Sequence, residues 1–534
     1  MSKKTLLLGD EALALGALHA GLSGVYAYPG TPSTEITEFI QAHPLTKERN
    51  IHCQWSCNEK TAMEAALGAS YAGKRAMVCM KHVGMNVCAD CFVNSAMTGS
   101  NGGLVVVACD DPSMHSSQNE QDSRFYADFA MVPCLEPSSQ QEAYDMVRFA
   151  FDYSEKYSTP VLMRLTTRMA HSRSVVEVKD AREQNPLSNP TDGRRWILLP
   201  ANARVRNQQV IKQLEQYEED PSALEHNKIY EGGEKADIGI IASGIGWNYL
   251  MENIVGKIPF PVLKITQYPI PKKLIKEMAD TCSTLMVVEE GQPFIEQRLR
   301  GYLPQSVTIK GRLDGTLPRT GELTPDILRK ALGIKMKEAC SKSDVALPRP
   351  PALCMGCGHR DFYTALNNVI KNYPTAKVFS DIGCYTLGAL APFHAINSCV
   401  DMGASITMAI GASESGLHPS VAVIGDSTFT HSGMTGLLDA VNMNANITVC
   451  ISDNLTTGMT GGQDSAAFGR IENICLGIGV EKEHIRLIVP LPKNYAEMEE
   501  TIRQEIEYNG VSVVVCRREC IQTAKRHLKK ENKK

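Results

Sequence analysis

Two polar residues, Asp426 and Asn454, each follow an apolar run long enough to be a β-strand. Residues 421–424 form the first run and residues 447–452 form the second. Parallel strands end at a common edge of a sheet, so the spacing predicts that a carboxylate and an amide oxygen meet there. Oxygen ligands of this kind suit Mg²⁺, which keeps nearly octahedral geometry and bridges phosphate groups.

The pair therefore predicts a site for thiamine diphosphate and Mg²⁺. The Asp426 and Asn454 side chains and the backbone carbonyl of Thr456 would be the protein ligands of the cation. Gly425 lets the backbone approach a phosphate closely, and Ser427 follows in the same turn. A glycine-rich stretch after Asn454 favours this interpretation over an ordinary strand–turn–helix corner with a capping aspartate.

Four cysteines form a second group with chemical potential: Cys354 and Cys357 in a Cys-x-x-Cys turn, then Cys384 and Cys520. Four thiolates complete the ligand shell of a 4Fe–4S cluster, and they would equally complete that of a zinc ion. A redox-active Cys-x-x-Cys, as in thioredoxin-like proteins, is a third option. A cluster accepts electrons one at a time and zinc does not, so the predicted thiamine chemistry favours the cluster. The other Cys-x-x-Cys, at 88–91, is interpreted as buried small residues on a helix.

Thiamine also needs a carboxylate beside its aminopyrimidine ring, so that the amine of the ring can remove the C2 proton. Glu59 is predicted to open a helix rich in small residues, at 62–73. A first-turn glutamate is favoured by the helix dipole alone, but the predicted cofactor assigns Glu59 the activating role. His359, next to the cysteines, is a candidate neighbour of the diphosphate.

Three further polar positions are predicted at strand ends or in a loop. Thr31 lies in a Pro-Gly-Thr-Pro turn, where its hydroxyl can face a ligand or simply serve the turn. Lys81 and His82 close another strand, where they could bind a substrate carboxylate or move a proton. Residues 115–120 form a dense polar loop that is either a pocket wall, a coenzyme A contact or a hydrated surface.

Length and composition indicate a globular, multidomain protein. The chain has 534 residues, of which 43% are hydrophobic, and its net charge of -4 gives no electrostatic footprint for nucleic acid. It shows no signal peptide and no apolar run of about 18 residues, so we expect no membrane span. The 17 cysteines fit free thiols in a reducing cytoplasm, some of them holding metal.

Apolar runs and polar breaks predict an α/β fold with three doubly wound domains. Runs as continuous as 103–109 suit parallel strands that are covered on both faces, and the runs at 238–242 and 262–265 return at βα spacing. The predicted division is a first domain at 1–185, a linker at 186–232, a second domain at 233–335, a linker at 336–349, a third domain at 350–520 and a basic tail at 521–534.

Eight stretches of the sequence resemble one known family, the large (alpha) subunits of indolepyruvate:ferredoxin oxidoreductases, within the 2-oxoacid:ferredoxin oxidoreductase superfamily. The likeness covers nearly the whole chain, and its long loop motifs are specific. The matching stretches are 28–33, 58–60, 80–86, 115–122, 354–360, 381–388, 425–429 and 453–457.

This resemblance implies a pyrimidine-binding domain, a transketolase-C-terminal-like middle domain and a diphosphate-binding domain. It implies that Glu59 contacts the aminopyrimidine, that Thr31 faces the substrate, and that the four cysteines hold one 4Fe–4S cluster. The implied reaction converts an arylpyruvate, coenzyme A and oxidised ferredoxin to aryl-acetyl-coenzyme A, CO₂ and reduced ferredoxin. The implied assembly is a dimer of heterodimers with a smaller beta subunit.

The sequence also departs from the family pattern. Family members usually continue into a ferredoxin-like segment, which is not seen before Lys534, so we expect electrons to leave through a partner subunit or a docked ferredoxin. Glu519 stands where the family tends to have proline, which makes Cys520 the weakest of the four predicted ligands. Met459 replaces the polar residue of pyruvate-specific relatives and is compatible with a larger, aromatic substrate.

Two other functions compete with this interpretation. A non-redox thiamine-dependent 2-oxoacid decarboxylase would use the same cofactor site but would need no four-cysteine shell. A structural or regulatory subunit that keeps the fold without catalysis is the second alternative, and the presence of Glu59, Asp426 and Asn454 argues against it.

Overall fold

The computed structural model describes residues 3–190, 192, 194–232, 237–336, 341, 343–347 and 349–531. Chain contacts divide the protein into two compact units, residues 1–340 and residues 341–534. Parts of the predicted linker at 336–349 and the end of the basic tail lie outside the described residues. Each unit is described by itself.

The first unit contains three sheets and the helices that cover them. Its strands are β1 (Lys3–Leu8), β2 (Gly24–Ala27), β3 (His52–Trp55), β4 (Ala76–Lys81), β5 (Leu104–Asp110), β6 (Cys134–Leu135), β7 (Val161–Thr166), β8 (Arg173–Val178), β9 (Lys228–Tyr230), β10 (Ile238–Ser243), β11 (Val262–Ile265), β12 (Gln267–Tyr268), β13 (Thr284–Val288) and β14 (Thr308–Lys310). Its helices are α1 (Gly9–His19), α2 (Thr34–Ala42), α3 (Pro44–Glu48), α4 (Glu59–Tyr71), α5 (His82–Thr98), α6 (Arg124–Ala130), α7 (Gln140–Tyr157), α8 (Thr167–His171), α9 (Pro200–Glu219), α10 (Pro221–His226), α11 (Gly244–Glu252), α12 (Lys272–Thr281), α13 (Phe294–Tyr302) and α14 (Pro325–Ala331).

A seven-stranded sheet, in the order β12-β6-β7-β5-β4-β2-β3, forms the centre of the first unit. All neighbours pair in parallel except the short edge strand β12. Alternate side chains of β4 enter two separate cores, with Val78 and Met80 on one face and Met77 and Cys79 on the other. This burial on both faces explains why the strand is apolar at nearly every position.

A five-stranded sheet, in the order β14-β13-β10-β11-β9, is the second large sheet of this unit. Ile241 and Leu263 from this sheet belong to the same core as Val78, so the two sheets are packed together. The residues predicted as a linker, 186–232, contain α9, α10 and β9, and β9 pairs antiparallel with β11. A two-stranded ribbon of β1 and β8 completes the unit.

The second unit has one six-stranded sheet, in the order β16-β15-β17-β18-β20-β19, and every pairing in it is parallel. Its strands are β15 (Lys377–Ser380), β16 (Ser398–Cys399), β17 (Ser420–Gly425), β18 (Ile447–Asp453), β19 (Ile485–Ile488) and β20 (Val511–Arg517). Its helices are α15 (Gly358–Ile370), α16 (Ala404–Glu414), α17 (Asp426–Thr428), α18 (Met434–Asn442), α19 (Ile471–Ile478), α20 (Tyr495–Glu507) and α21 (Ile521–Glu531).

The predicted α/β fold class is confirmed, because parallel sheets with helices on their faces dominate both units. In the second unit, successive residues of β17 again enter different cores, with Ile424 in one and Val423 in the other. No helix among the residues described is long and apolar enough to cross a membrane.

A buried ion network, for which the sequence shows no pattern, stabilises the first unit. Arg124 and Arg164 are fully buried. The Arg164 side chain donates to Asp110 at 2.6 Å and to Glu136 at 2.5 Å, and Arg124 donates to the Asp122 carboxylate at 2.5 Å. These contacts fix both ends of the polar loop that was predicted at 115–120, since Asp110 precedes it and Asp122 follows it.

Replacing Arg164 with methionine should therefore destabilise the protein strongly, because it leaves two carboxylates buried without their cation. We expect the free energy of unfolding to fall by about 3–5 kcal/mol, measured as a shift of the urea midpoint. The matched control is Arg182→Met, which breaks an exposed pair with Asp152 at 2.7 Å and should cost about 1 kcal/mol or less. Equal losses in the two variants would show that the buried network adds nothing.

Candidate cofactor site

The carboxyl ends of β17 and β18 lie side by side in the second unit. The two strands are parallel neighbours, and Gly425 is paired in register with Ser452. Asp426 directly follows β17, and Asn454 directly follows β18. The two residues that the sequence predicts as cation ligands are therefore delivered to one edge of the sheet.

Asp426 has a carboxylate oxygen without a hydrogen bond of good geometry among the described residues. Its side chain is buried, with 3% exposed. Its Oδ1 accepts from the backbone N–H of Ser427 at 2.8 Å, while its Oδ2 has no hydrogen-bond partner among the residues described. Burial, with the nearby Asp453 carboxylate, raises the pKa of Asp426 to about 7. A cation at Oδ2 would remove this cost, so the residue fits the role of a Mg²⁺ ligand.

The turn that carries Asn454 is held from both sides. The Asn454 Oδ1 accepts from the Thr456 N–H at 3.2 Å, and its backbone carbonyl accepts from the Cys520 N–H at 3.0 Å. Leu455, between them, has a positive φ of 62°, which is uncommon for a branched side chain. Such local strain fits a turn whose shape is fixed by what it must hold.

A closed loop then brings Thr457 and Ser427 to the same corner. Thr457 and Gln463 form a bridge across the loop, with a hydrogen bond from the Thr457 N–H to the Gln463 carbonyl at 2.9 Å. The Ser427 hydroxyl lies 2.8 Å from the Thr457 hydroxyl and 3.1 Å from that of Ser465. Three hydroxyl groups therefore meet at this corner, and each is able to donate a hydrogen bond to a phosphate oxygen.

Gly425 has a structural role that the sequence did not reveal. A Cβ atom on Gly425 would stand 2.5 Å from the aromatic ring of Tyr385. The Tyr385 ring is buried, and Tyr363 donates to its backbone carbonyl at 2.7 Å. Glycine at this position thus allows an aromatic ring to pack against the turn that carries Asp426.

Asp381 was also missed as a positioning residue, although it follows the apolar end of β15. It accepts from the Ser405 N–H at 2.7 Å and from the Ser405 hydroxyl at 2.5 Å. Burial raises the pKa of Asp381 to about 7, even with these hydrogen bonds. The contact ties the segment that leads to Cys384 to the first turn of α16.

The predicted cluster cysteines lie in the same unit, around the same sheet edge. A Cβ atom on Gly458 would be 3.4 Å from the Cys384 sulfur and 3.5 Å from the Asn454 amide nitrogen, so thiol and amide face one glycine. The Cys357 sulfur lies 3.3 Å from His359 Nδ1. On the other side, the Gln522 amide of α21 donates to the Cys354 sulfur at 3.5 Å.

The four thiols influence one another electrostatically. Burial, followed by Cys520, Cys357 and Cys354, raises the pKa of Cys384 to about 12. Within the described ranges, no three of these sulfurs lie within 4.8 Å of one another. The four thiols therefore lie near one another without forming a closed site for a single metal ion.

His359 lies at the start of α15, beneath the cysteine turn. Its ring is buried, and it makes an edge contact with Tyr385 at 6.3 Å between ring centres. Burial lowers the pKa of His359 to about 4, so the imidazole is neutral at physiological pH. A neutral ring between the thiols and Tyr385 is suited to donate or accept one hydrogen bond.

Glu59, Thr31 and His82 belong to the first unit. Glu59 is the first residue of α4, and its side chain is buried with 5% exposed. A Cβ atom on Gly84 of α5 would stand 2.8 Å from the Glu59 Oε1, so only glycine allows the carboxylate to lie against that helix. The carboxylate is therefore held at a helix N-terminus against a second helix.

Lys81, His82 and the polar loop form one cluster at the end of β4. The Lys81 ammonium donates to the Ser116 carbonyl at 2.6 Å, and burial lowers its pKa to about 8. The His82 Nε2 lies 3.2 Å from the Asn119 carbonyl, whereas its Nδ1 has no partner in the part of the chain that the structure describes. A Cβ atom on Gly30, next to Thr31, would stand 3.0 Å from the Lys81 Cβ, so the Thr31 turn borders this cluster.

Comparison with known proteins identifies the class first. Residues 15–221 match the thiamine diphosphate-binding family of pyruvate flavodoxin/ferredoxin oxidoreductases. Residues 381–516 match the C-terminal TPP-binding domain of thiamine pyrophosphate enzymes. The chain thus contains two thiamine diphosphate-binding domains, the first of the oxidoreductase type, and the predicted thiamine diphosphate cofactor is supported.

Full-length relatives then identify the family. The chain is 38% identical to indolepyruvate oxidoreductase subunit IorA of Archaeoglobus fulgidus, over 99% of this chain and 89% of the relative. It is 37% identical to the subunit of the same name from Pyrococcus horikoshii, over 99% of this chain and 88% of the relative. The chain belongs to the family of indolepyruvate oxidoreductase IorA subunits, so the predicted family and enzyme class are confirmed.

A solved structure shows the same fold at low sequence identity. It is the 2-oxoglutarate:ferredoxin oxidoreductase from Magnetococcus marinus with 2-oxoglutarate, coenzyme A and succinyl-CoA bound. The TM-score is 0.51 at 16% identity, and the match covers 62% of this chain and 65% of that chain, less than two thirds of its length.

Replacing Asp426 with asparagine should weaken the binding of Mg²⁺ and thiamine diphosphate while leaving the fold intact. The change keeps the shape of the side chain and removes the charge that the cation needs, so we expect a loss of about 10–100-fold in affinity or more. Isothermal titration calorimetry on protein stripped of cofactor measures this loss. Asp464→Asn, an exposed carboxylate in the following loop, is the control and should bind as the wild type does. Wild-type affinity in Asp426→Asn would remove Asp426 from the ligand set.

Proposed function

We propose that this chain, together with a partner subunit, oxidatively decarboxylates an arylpyruvate such as indolepyruvate and transfers the acyl group to coenzyme A, with ferredoxin as electron acceptor. The observation that carries the proposal is the buried, unpartnered Asp426 oxygen at the corner that Asn454 and Cys384 share. Any thiamine diphosphate enzyme needs the cation–diphosphate site, whereas thiols beside it favour an oxidative reaction, because a cluster held by them would accept the electrons.

Residues of the second unit would hold the cofactor. Asp426, the Asn454 side chain and the Thr456 carbonyl would bind Mg²⁺, and Gly425 and Ser427 would contact the diphosphate. His359 would lie near the diphosphate as a neutral ring. Bound thiamine diphosphate supplies a nucleophilic carbon and an electron sink for loss of CO₂.

Residues of the first unit would act on the ring and on the substrate. The buried Glu59 carboxylate would hydrogen-bond to the aminopyrimidine and so favour the protonation state in which its amine acts as base. Lys81 would bind the carboxylate of the 2-oxoacid, and Thr31 would contact its carbonyl group. His82 would carry a proton, because its Nδ1 lacks a partner in the described chain.

Cys354, Cys357, Cys384 and Cys520 would hold one 4Fe–4S cluster. The pKa of about 12 for Cys384 means that this thiol stays protonated at neutral pH unless a metal binds it. A cluster would replace those protons and would accept electrons one at a time for ferredoxin. The electron transfer that ferredoxin chemistry needs is the support for a cluster rather than zinc, because zinc has no redox chemistry.

The partner would be the smaller beta subunit, and two such pairs would form a dimer of heterodimers. The relatives are named as subunits of an oxidoreductase, and coenzyme A is bound in the solved structure of the same fold. Met459, with 51% of its surface exposed beside the cofactor loop, presents an apolar side chain that suits an aromatic substrate.

A comparison of substrates tests the proposed function directly. Protein purified without oxygen with its partner subunit should reduce a viologen dye with indolepyruvate or phenylpyruvate and coenzyme A, and much more slowly with pyruvate or 2-oxoglutarate. Glu59→Gln should bind thiamine diphosphate but give no dye reduction, which excludes turnover by a contaminant. Release of CO₂ without dye reduction, from protein that contains no iron, would instead identify a non-redox decarboxylase.

Cys357→Ser should remove the iron–sulfur cluster without removing thiamine diphosphate. A hydroxyl is a poor cluster ligand, so we expect the brown visible absorption and the iron content to fall by more than half. The control is Cys399→Ser, a half-buried cysteine whose sulfur contacts the Asp381 carbonyl at 3.6 Å. An unchanged visible spectrum in Cys357→Ser would reassign the ligands.

The pH dependence of kcat/KM should reveal the titration of the Lys81 ammonium group. Its pKa of about 8 lies below the ordinary value of a lysine because burial disfavours the charged form. The charge that binds the substrate carboxylate is therefore lost as the pH rises through about 8, and kcat/KM for the 2-oxoacid should fall about tenfold for each further pH unit.

In Lys81→Met this fall in kcat/KM should disappear, and KM should be high at every pH. Lys74→Met is the matched control, because Lys74 lies before the other end of β4 and also donates to a backbone carbonyl, that of Asn185 at 2.5 Å. A wild-type KM in Lys81→Met would separate this lysine from substrate binding.

A further inference from the structure

Three helices of the first unit bring Asp10, Glu35 and His171 together. Asp10 lies in the first turn of α1, Glu35 lies in the first turn of α2, and His171 ends α8. One ligand atom from each side chain lies within 4.8 Å of the other two. Within the described ranges, this is the only group of three or more Asp, Glu, His or Cys side chains that meets this distance.

Asp10 has no partner of its own. Its side chain is fully buried, and neither carboxylate oxygen has a hydrogen-bond partner among the described residues. The Glu35 Oε2 is also unpartnered there, while its Oε1 lies 3.6 Å from His171 Nε2. Burial, followed by the Glu35 carboxylate, raises the pKa of Asp10 well above its usual range. An isolated buried carboxyl of this kind is costly unless something binds it.

We propose that Asp10, Glu35 and His171 form a binding site for a divalent transition-metal cation of the Mn²⁺ or Zn²⁺ type. Two carboxylates neutralise the charge of the cation, and the imidazole nitrogen favours a transition metal over Mg²⁺ or Ca²⁺. Asp10 forms the closed end of the site. The His171 and Glu35 side chains are about a third exposed, so water reaches the open end and completes the coordination shell.

The cation has a structural task in this position. It joins α2 to α1 and α8, which already meet where the Gly9 N–H donates to the Ser172 carbonyl at 3.2 Å. The first turn of α2 directly follows the turn that carries Thr31, and the Gly30 N–H donates to the Thr34 hydroxyl at 3.0 Å. Fixing Glu35 therefore fixes the turn that presents Thr31.

Binding of Mn²⁺ to the full chain tests this proposal. Protein treated with a chelator, and free of thiamine diphosphate, is titrated with Mn²⁺ while electron paramagnetic resonance measures the free ion. The wild type should bind one ion that Asp10→Asn binds at least about tenfold more weakly. Glu38→Gln, a change one turn along α2 and outside the trio, should bind as the wild type does. Asp426→Asn should also keep this ion, which separates the new site from the predicted Mg²⁺ corner.

Thermal unfolding provides the second measurement. Mn²⁺ should raise the Tm of the wild type and of Glu38→Gln, but not the Tm of Asp10→Asn. Should Asp10→Asn fail to fold, His171→Ala changes the exposed end of the site and should lose the same ion. Equal Mn²⁺ affinity in the wild type, Asp10→Asn and His171→Ala would overturn the proposal. So would a single bound ion that only Asp426→Asn loses, or no ion bound by the wild type.

Discussion

Both units bury carboxylates at the ends of buried strands, and each such burial has a free-energy cost that must be offset. Such a group must be satisfied by the chain or by a ligand, because an isolated charge in a protein interior is strongly unfavourable. Asp110 follows this rule with a chain partner, since Arg164 reaches it at 2.6 Å. Asp426 follows a central strand of the second unit, and its Oδ2 lacks a hydrogen bond of good geometry among the described residues. The contrast separates a carboxylate that supports the scaffold from one that is available to a cofactor.

The Cys384 thiol near Asn454 is also partly buried, but its burial costs less than that of a carboxylate. A protonated thiol is tolerated in the interior, so the raised pKa of Cys384 carries little cost until a metal is near. Cys384 and the Asn454 amide face the same glycine, and Cys520 donates its backbone N–H to Asn454. Short contacts therefore link the predicted cysteine ligands to the turn of Asn454.

The sequence predicts the strands well because both faces of each central strand are buried. The predicted strand at 262–265 has the observed limits, and the runs before Asp426 and Asn454 are the observed β17 and β18. Short edge strands such as β9 carry no continuous apolar run, and β9 lies inside the predicted linker. The buried network of Arg124 and Arg164 was also missed, because charged partners far apart in the chain leave no periodic signal. In the candidate site, the types of ligand residue and their positions at strand ends were predictable from the sequence. The packing of Tyr385 against Gly425 was not, because it joins residues far apart in the chain.

The rule also explains why Asp10 stands out from the other buried acids of the first unit. Asp122 and Glu136 each contact a buried arginine, so their burial is compensated inside the chain. The charged neighbours of Asp10 include Glu35 and Glu11, which add repulsion, and His171, which already pairs with Glu35. A chain that needed only a neutral polar group there could use a residue without charge. Two carboxylates and an imidazole at metal-binding separation are accounted for by a cation, and that cation would hold the turn next to the proposed substrate site.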